Sequence, residues 1–378
     1  MPRLAIDTGY LRDRLADLLA IPSPSGYTDQ VVRWVSAEIE TLGYPVEVTR
    51  RGAIRATLKG ETHRGARAVI GHVDTLGAQV KQLKENGRLE LVPIGHWSAR
   101  FAEGARTTLF TDKGSYRGTI LPLKASGHTF NEAVDTAPVG WSHVELRVDA
   151  LCRGPGDLKR LGIAVGDFVA IDPQPEFVPN GYIASRHLDD KAGVAAMLAA
   201  MLALKTGGVA PAVDTFFLFS ISEEVGVGGS SVLTHDIASL VAIDNGTVAP
   251  GQSSEEFGVT VAVADQTGPF DYHLTRKLIR LCVEEDIRHQ TDVFRYYRSD
   301  SASAVEAGAD VRTALITFGV DASHGWERTH MHALRSVAEL ITAYVSSPVE
   351  IPRDAEPIGG ARGFTSQPTD EADATVRI

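Results

Sequence analysis

The stretch SISEEVGVGGS, residues 220–230, sets Glu223 beside Glu224, straight after the apolar run TFFLF and straight before a glycine-rich turn. Neighbouring carboxylates at the end of a buried strand lose hydration and repel one another unless a cation or a proton intervenes. Three more strand-like runs carry polar residues at their ends. AVIGHVD gives His72 and Asp74, GYIASRHLDD gives Asp189 and Asp190, and SLVAIDNG gives Asp244. Ahead of the last helix, ASHGWERTHMH offers His324, His330 and His332. Taken singly, each has an ordinary explanation. A strand-end aspartate commonly caps a helix, and with 12 histidines in the chain at most a few can be functional. Together, nitrogen and oxygen donors without thiolate suit Zn²⁺, with Co²⁺ or Mn²⁺ as alternatives. A two-metal site needs a carboxylate that bridges the ions and a base that takes a proton from water. In His72-x-Asp74 the spacing lets the aspartate fold back on the imidazole and fix its tautomer. The paired glutamates can then divide their labour, one binding metal and the other staying free.

Competing chemistries lack their motifs. The chain has no H-E-x-x-H, no G-x-S-x-G and no G-x-x-x-x-G-K-[ST]. GVGGS could meet a phosphate through its amides, but no lysine follows it. Neither Cys152 nor Cys282 sits in a reactive-looking motif, and two distant cysteines make no disulfide framework. That points to a reducing, cytoplasmic compartment. The N-terminal segment carries Arg12, Asp13, Arg14 and Asp17 among its apolar residues, so it reads as an amphipathic helix and not a signal peptide. Nowhere do about 18 apolar residues run together, so no membrane partner is expected. A net charge of −11 argues against nucleic acid as a partner.

The elements that must position these residues follow from periodicity. In TDQVVRWVSAEIETLG, residues Val31, Val32, Val35, Ile39 and Leu42 share one helical face, and Gly43 is a stop signal. AQVKQLKENGRLELVPIG reads as a hairpin around Asn86-Gly87. Short runs at Gly- and Pro-marked intervals continue to about residue 180, so 76–180 reads as a small all-β, barrel-like insertion. The α/β pattern occupies 1–75 and resumes over 181–346, with LDDKAGVAAMLAAMLALKTGG as a helix with an acidic first turn. Residues 347–378 read as a flexible polar tail. The expected fold is therefore an α/β catalytic domain with a mixed sheet, interrupted by the β domain, with functional residues at the carboxyl ends of strands.

GHVDTLGAQVKQLKENGRLELVPIG, GYIASRHLDDKAGVAAML, ISEEVGVGGS and VAIDNG resemble segments of the tetrahedral aminopeptidases, the di-zinc glutamyl and deblocking aminopeptidase family, some members of which carry an older endoglucanase label. DLKRLGIAVGDFVAID and EDIRHQTDVF also match in order, and the resemblance runs from about residue 10 to 345. It implies a cytoplasmic homo-oligomer, up to a dodecamer, that binds two divalent ions per chain and removes the N-terminal residue of short peptides. A hydroxide bridging the two ions would be the nucleophile. Carried over by motif, His72 and Asp244 would bind the first ion and Glu224 the second. Asp189 would bridge both, Asp74 would orient His72, and Glu223 would be the general base. The family's last ligand is a late histidine, usually in an Arg-Tyr-x-His-Ser context. Here the segment reads HGWERTHMHAL, and His330 is preferred because it follows an arginine at family-like distance, with His332 second and His324 third. The family's Asp-Asp-Arg is Asp-Asp-Lys, with Lys191. The ending HGWERTH is similar to a divergent bacterial branch linked with osmoprotectant dipeptide-amide gene clusters. The alternatives to an aminopeptidase are a di-metal deacylase or amidase acting on N-acyl amino acids or dipeptide amides, and an inactive binding or scaffold protein on a peptidase fold.

Overall fold

The computed structural model describes residues 3–233 and 237–368. The run TFFLF lies in the strand Val213–Ser220, buried along its whole length. A strand apolar on both faces must be covered on both faces, which places it inside a sheet. It runs parallel to Thr62–His72 on one side and antiparallel to Ile54–Leu58 on the other. Ile237–Thr247 lies parallel to Thr62–His72, and Arg312–Val320 parallel beyond it. Among the described residues these belong to a nine-stranded mixed sheet. The register sets Ser220 opposite His72. The carboxyl ends of three parallel strands therefore emerge side by side, where open α/β sheets bind ligands.

The helix Leu188–Gly207 covers this sheet and is itself covered by Thr8–Ala20 and Met331–Ser346. Its alanines and glycine allow close approach. A Cβ added to Gly193 would come 2.1 Å from the Asp190 carboxylate, and one added to Gly71 would come 2.7 Å from it. No larger side chain fits at either position without moving Asp190. Lys191 is buried and donates to the carbonyls of Leu18, at 2.9 Å, and Ile21. Lys191 thus caps the end of the first helix and does not enter the cleft.

Six strands between Gly77 and Ile171 close into a barrel with its own core of Val80, Leu91, Leu109, Ile120, Leu146 and Val169. The Asn86-Gly87 hairpin is present, with Gly87 at φ 76°. GYIAS departs from the expected pattern. Tyr182–Ser185 belongs to a separate three-stranded sheet and pairs antiparallel with Glu327–His330. Beyond Ser347, the tail is tied down at Asp354, which accepts from Arg312 at 2.9 Å. The rest of the expected tail, 369–378, lies outside the described residues. No helix among the described residues is long and apolar enough to cross a membrane.

Candidate metal centre and active site

His72 ends its strand with the ring buried at the sheet's carboxyl edge. Its Nδ1 lies 3.0 Å from the main-chain carbonyl of Asp74, to which it donates, leaving Nε2 to face Asp189 Oδ1 at 3.0 Å. The Asp74 carboxylate is 3.6 Å from the same Nδ1. It is engaged mainly elsewhere, accepting the amides of Glu223 and Glu224 at 3.2 and 3.3 Å and the hydroxyl of Ser25. Asp74 therefore ties the glutamate loop to the strand that carries His72. Gly228 lets the following turn close over the buried Asp300, whose Oδ1 lies 2.2 Å from where a Cβ at Gly228 would stand.

Asp189 enters from the helix start. Its Oδ2 accepts from Asn245 Nδ2 at 2.6 Å and faces His324 Nε2 at 3.2 Å. His324 Nε2 also lies 3.7 Å from Glu224 Oε2. His324 Nδ1 donates to the carbonyl of His96, 2.8 Å away on the barrel domain, which turns Nε2 toward the carboxylates. Two overlapping donor groups result, His72 with Asp189 and Glu224, and His72 with Glu223 and Asp244. They open into a cleft of about 720 Å³, walled on one side by His96, Trp97 and Phe101 of the barrel domain and on the other by Tyr296, Tyr297 and Arg298.

The structure brings together His72, Asp74, Asp189, Glu223, Glu224 and Asp244, but not His330. Strand pairing explains the correction. Ser185 sits opposite Glu327 and Tyr182 opposite His330. Three residues of strand, about 10 Å, carry His330 away from the turn that holds His324. Both His330 nitrogens are occupied. Nε2 donates to the carbonyl of Asn180 at 2.9 Å, and Nδ1 accepts the amide of His332 at 3.1 Å, capping the last helix. His332 is exposed beside it. His324, third choice on sequence, occupies the cleft. It does so with φ 62°, a left-handed conformation unusual for a non-glycine residue, which no sequence signal announces.

Sequence reasoning also missed Asn245, Glu327 and Tyr297. Asn245 had a signal in its position directly after Asp244. Glu327 and Tyr297 had none, because their importance depends on what folds against them. Tyr297 faces the cleft, and its hydroxyl is buried without a hydrogen-bond partner among the described residues.

Electrostatics tests whether this donor set fits cations. Burial, reinforced by Asp244, pushes the Glu223 carboxyl well above the usual range. Burial and Asp189 do the same to Asp244. Burial, with the charge of Asp189 added, takes Glu224 up to about 8 despite the nearby His324. Burial lowers His324, but Glu224 and Asp189 outweigh it and raise the imidazole to about 11. Carboxylates this close keep protons unless positive charge replaces them. The donors are all nitrogen and oxygen, and both imidazoles have one ring nitrogen fixed by a carbonyl so that the other faces the carboxylates. They fit divalent cations of the Zn²⁺ type.

A mixed sheet with a separate closed barrel is also the fold of solved tetrahedral aminopeptidases. The solved TET1 peptidase of Pyrococcus horikoshii superposes with a TM-score of 0.78 at 20% identity, over 89% of this chain and 99% of that one, a likeness of fold. A family model described as M42 glutamyl aminopeptidase matches residues 52–340. The YhfE protein of Bacillus subtilis, which bears an aminopeptidase name, is 38% identical over 338 residues, 89% of this chain and 97% of that protein. The glutamyl aminopeptidase of Lactococcus lactis is 26% identical over 229 residues, 59% of this chain and 62% of that protein. The chain belongs to the M42 peptidase family and is a peptide-bond hydrolase.

Proposed function

We propose that this chain is an aminopeptidase that works with two divalent cations, most simply Zn²⁺, on short peptides. One observation carries the reading. Asp189 turns Oδ1 to His72 and Oδ2 to His324, so a single carboxylate faces two separate imidazoles, as a bridging ligand must. In this reading His72, Asp189 and Asp244 would hold one ion, and Asp189, Glu224 and His324 would hold the other. When bound, the ions would supply an activated water and a Lewis acid for the scissile carbonyl. Glu223 takes the proton of the attacking water and hands it to the leaving amine. Its side chain is 13% exposed where that of Glu224 is 3% exposed, which suits the more accessible of the two to proton transfer. Asp74 keeps both glutamates in register by holding their amides.

We also infer that the chain works as a homo-oligomer. The Pyrococcus TET1 peptidase assembles into a tetrahedron or an octahedral shell, and the shared fold supports the same mode of assembly here.

The test is Glu223→Gln assayed at full metal loading, on peptides with free and with acylated N-termini. The expected result is wild-type metal content with kcat reduced by roughly 10²–10⁴-fold, and turnover of free-amine peptides by the unmodified protein. Wild-type turnover by the variant would remove Glu223 from the role. Turnover of only the acylated substrates would convert the reading to a deacylase.

A further inference from the structure

Glu327 opens the short strand Glu327–His330 and is only 1% exposed. Among the described residues it forms no ion pair with a lysine or arginine. An isolated buried carboxylate is costly unless hydrogen bonds replace its water. Here both oxygens are used, and each meets the main chain of a different cluster residue. Oε2 accepts the amide of Asp189 at 3.1 Å, and Oε1 accepts the amide of His324 at 2.9 Å. These two residues come from different elements, the start of the helix Leu188–Gly207 and the turn before the strand Glu327–His330. The pairing of Ser185 with Glu327 brings the two elements together.

We propose that Glu327 is a positioning residue whose carboxylate sets the spacing between Asp189 and His324, and so the geometry of the ion they share. This rests on the two-cation reading above. Glu327 orients the main chain, while the carbonyl of His96 orients the ring. Positioning is therefore split between the catalytic domain and the barrel insertion.

The test compares the unmodified protein with Glu327→Gln by calorimetric titration of the metal-free chain with Co²⁺ and by the Co²⁺ absorption spectrum. Glutamine keeps the shape but can accept from only one of the two amides, and its NH₂ group faces the other. The expected outcome is two ions on the unmodified protein. On the variant, one ion binds normally and the other 10–100-fold more weakly, with an altered spectrum, and the metal-free melting temperature falls because one buried amide loses its acceptor. Glu327→Asp, which keeps the charge but shortens the reach, should show the same selective loss, and it serves as the test if the glutamine variant does not fold. Wild-type affinity and spectrum for both ions in a folded variant would overturn the positioning role alone. An unmodified protein that binds no ions would overturn the two-cation reading together with it.

Discussion

Glu145 in the barrel and Glu224 in the cleft are both buried carboxylates, with side chains 1% and 3% exposed, yet they end in opposite states. Burial raises both. At Glu145 it is outweighed by Lys84, 2.7 Å away, and by Arg88, so the carboxyl is held below its ordinary range. At Glu224 the neighbours include Asp189 and Asp74 as well as His324, and the carboxyl rises to about 8. The barrel charge is matched by fixed cations from its own chain. The cleft charges are not, and the two imidazoles cannot balance the carboxylates around them. A structural ion pair is complete in the folded chain, whereas the cleft carboxylates keep protons unless a cation replaces them. The far end of the main sheet follows the barrel's rule, with Arg312 held between Asp271 and Asp354 at 2.9 Å each.

That contrast can be broken or sharpened at four points. The largest effect is expected from His324→Ala, which removes a donor from the cleft. Affinity for one ion should fall by at least roughly 100-fold, read by calorimetry. Wild-type affinity would show that the unmatched charge in the cleft does not need this imidazole. Next is pH. Glu224 and Asp244 hold protons that a cation must displace, and His324 must lose one to present a lone pair, so metal affinity should rise by about tenfold or more between pH 6 and pH 8. The metal-free chain should respond with the opposite sign. Stabilisation from a carboxyl raised to about 8 is complete below its unfolded value and is lost as pH climbs through 8, so the metal-free melting temperature should fall over the same interval. A metal-free melting temperature that rises with pH would contradict the charge imbalance assigned to the cleft.

At the barrel, Glu145→Gln should lower stability by about 1–2 kcal/mol, because Lys84 and Arg88 lose their charged acceptor. Metal content should not change, and a changed content would show that the two regions are coupled. The smallest effect belongs to His330→Ala, which loses a helix cap worth about 1 kcal/mol. It should lower the melting temperature slightly and leave both ions bound. Loss of an ion in that variant, with none lost in His324→Ala, would reverse the assignment of the late histidine.

The fold was legible where one residue type repeated with a clear period. TFFLF could only be an interior strand, the Asn86-Gly87 pair could only turn a hairpin, and the alanine-rich run after Asp190 could only be a buried helix. The site was legible where its residues sit at the ends of such elements, as His72, Glu223, Glu224 and Asp244 do. It became illegible at the loop 321–327. There, one histidine in three is chosen by an antiparallel register between segments more than 140 residues apart, and by a left-handed turn at His324.

By itself the sequence determined the donor chemistry, nitrogen and carboxylate oxygen without sulfur, and the strand ends that carry most of it. Side-chain type and local periodicity are properties of the chain wherever it lies. Only the tertiary structure decided that His324 and not His330 faces Asp189, that the Asp74 carboxylate anchors the glutamate loop, and that Glu327 spans two elements. Each of these depends on which distant backbone lies opposite. A shift of three residues along a paired strand moves a side chain by about 10 Å while leaving the composition and the local pattern unchanged.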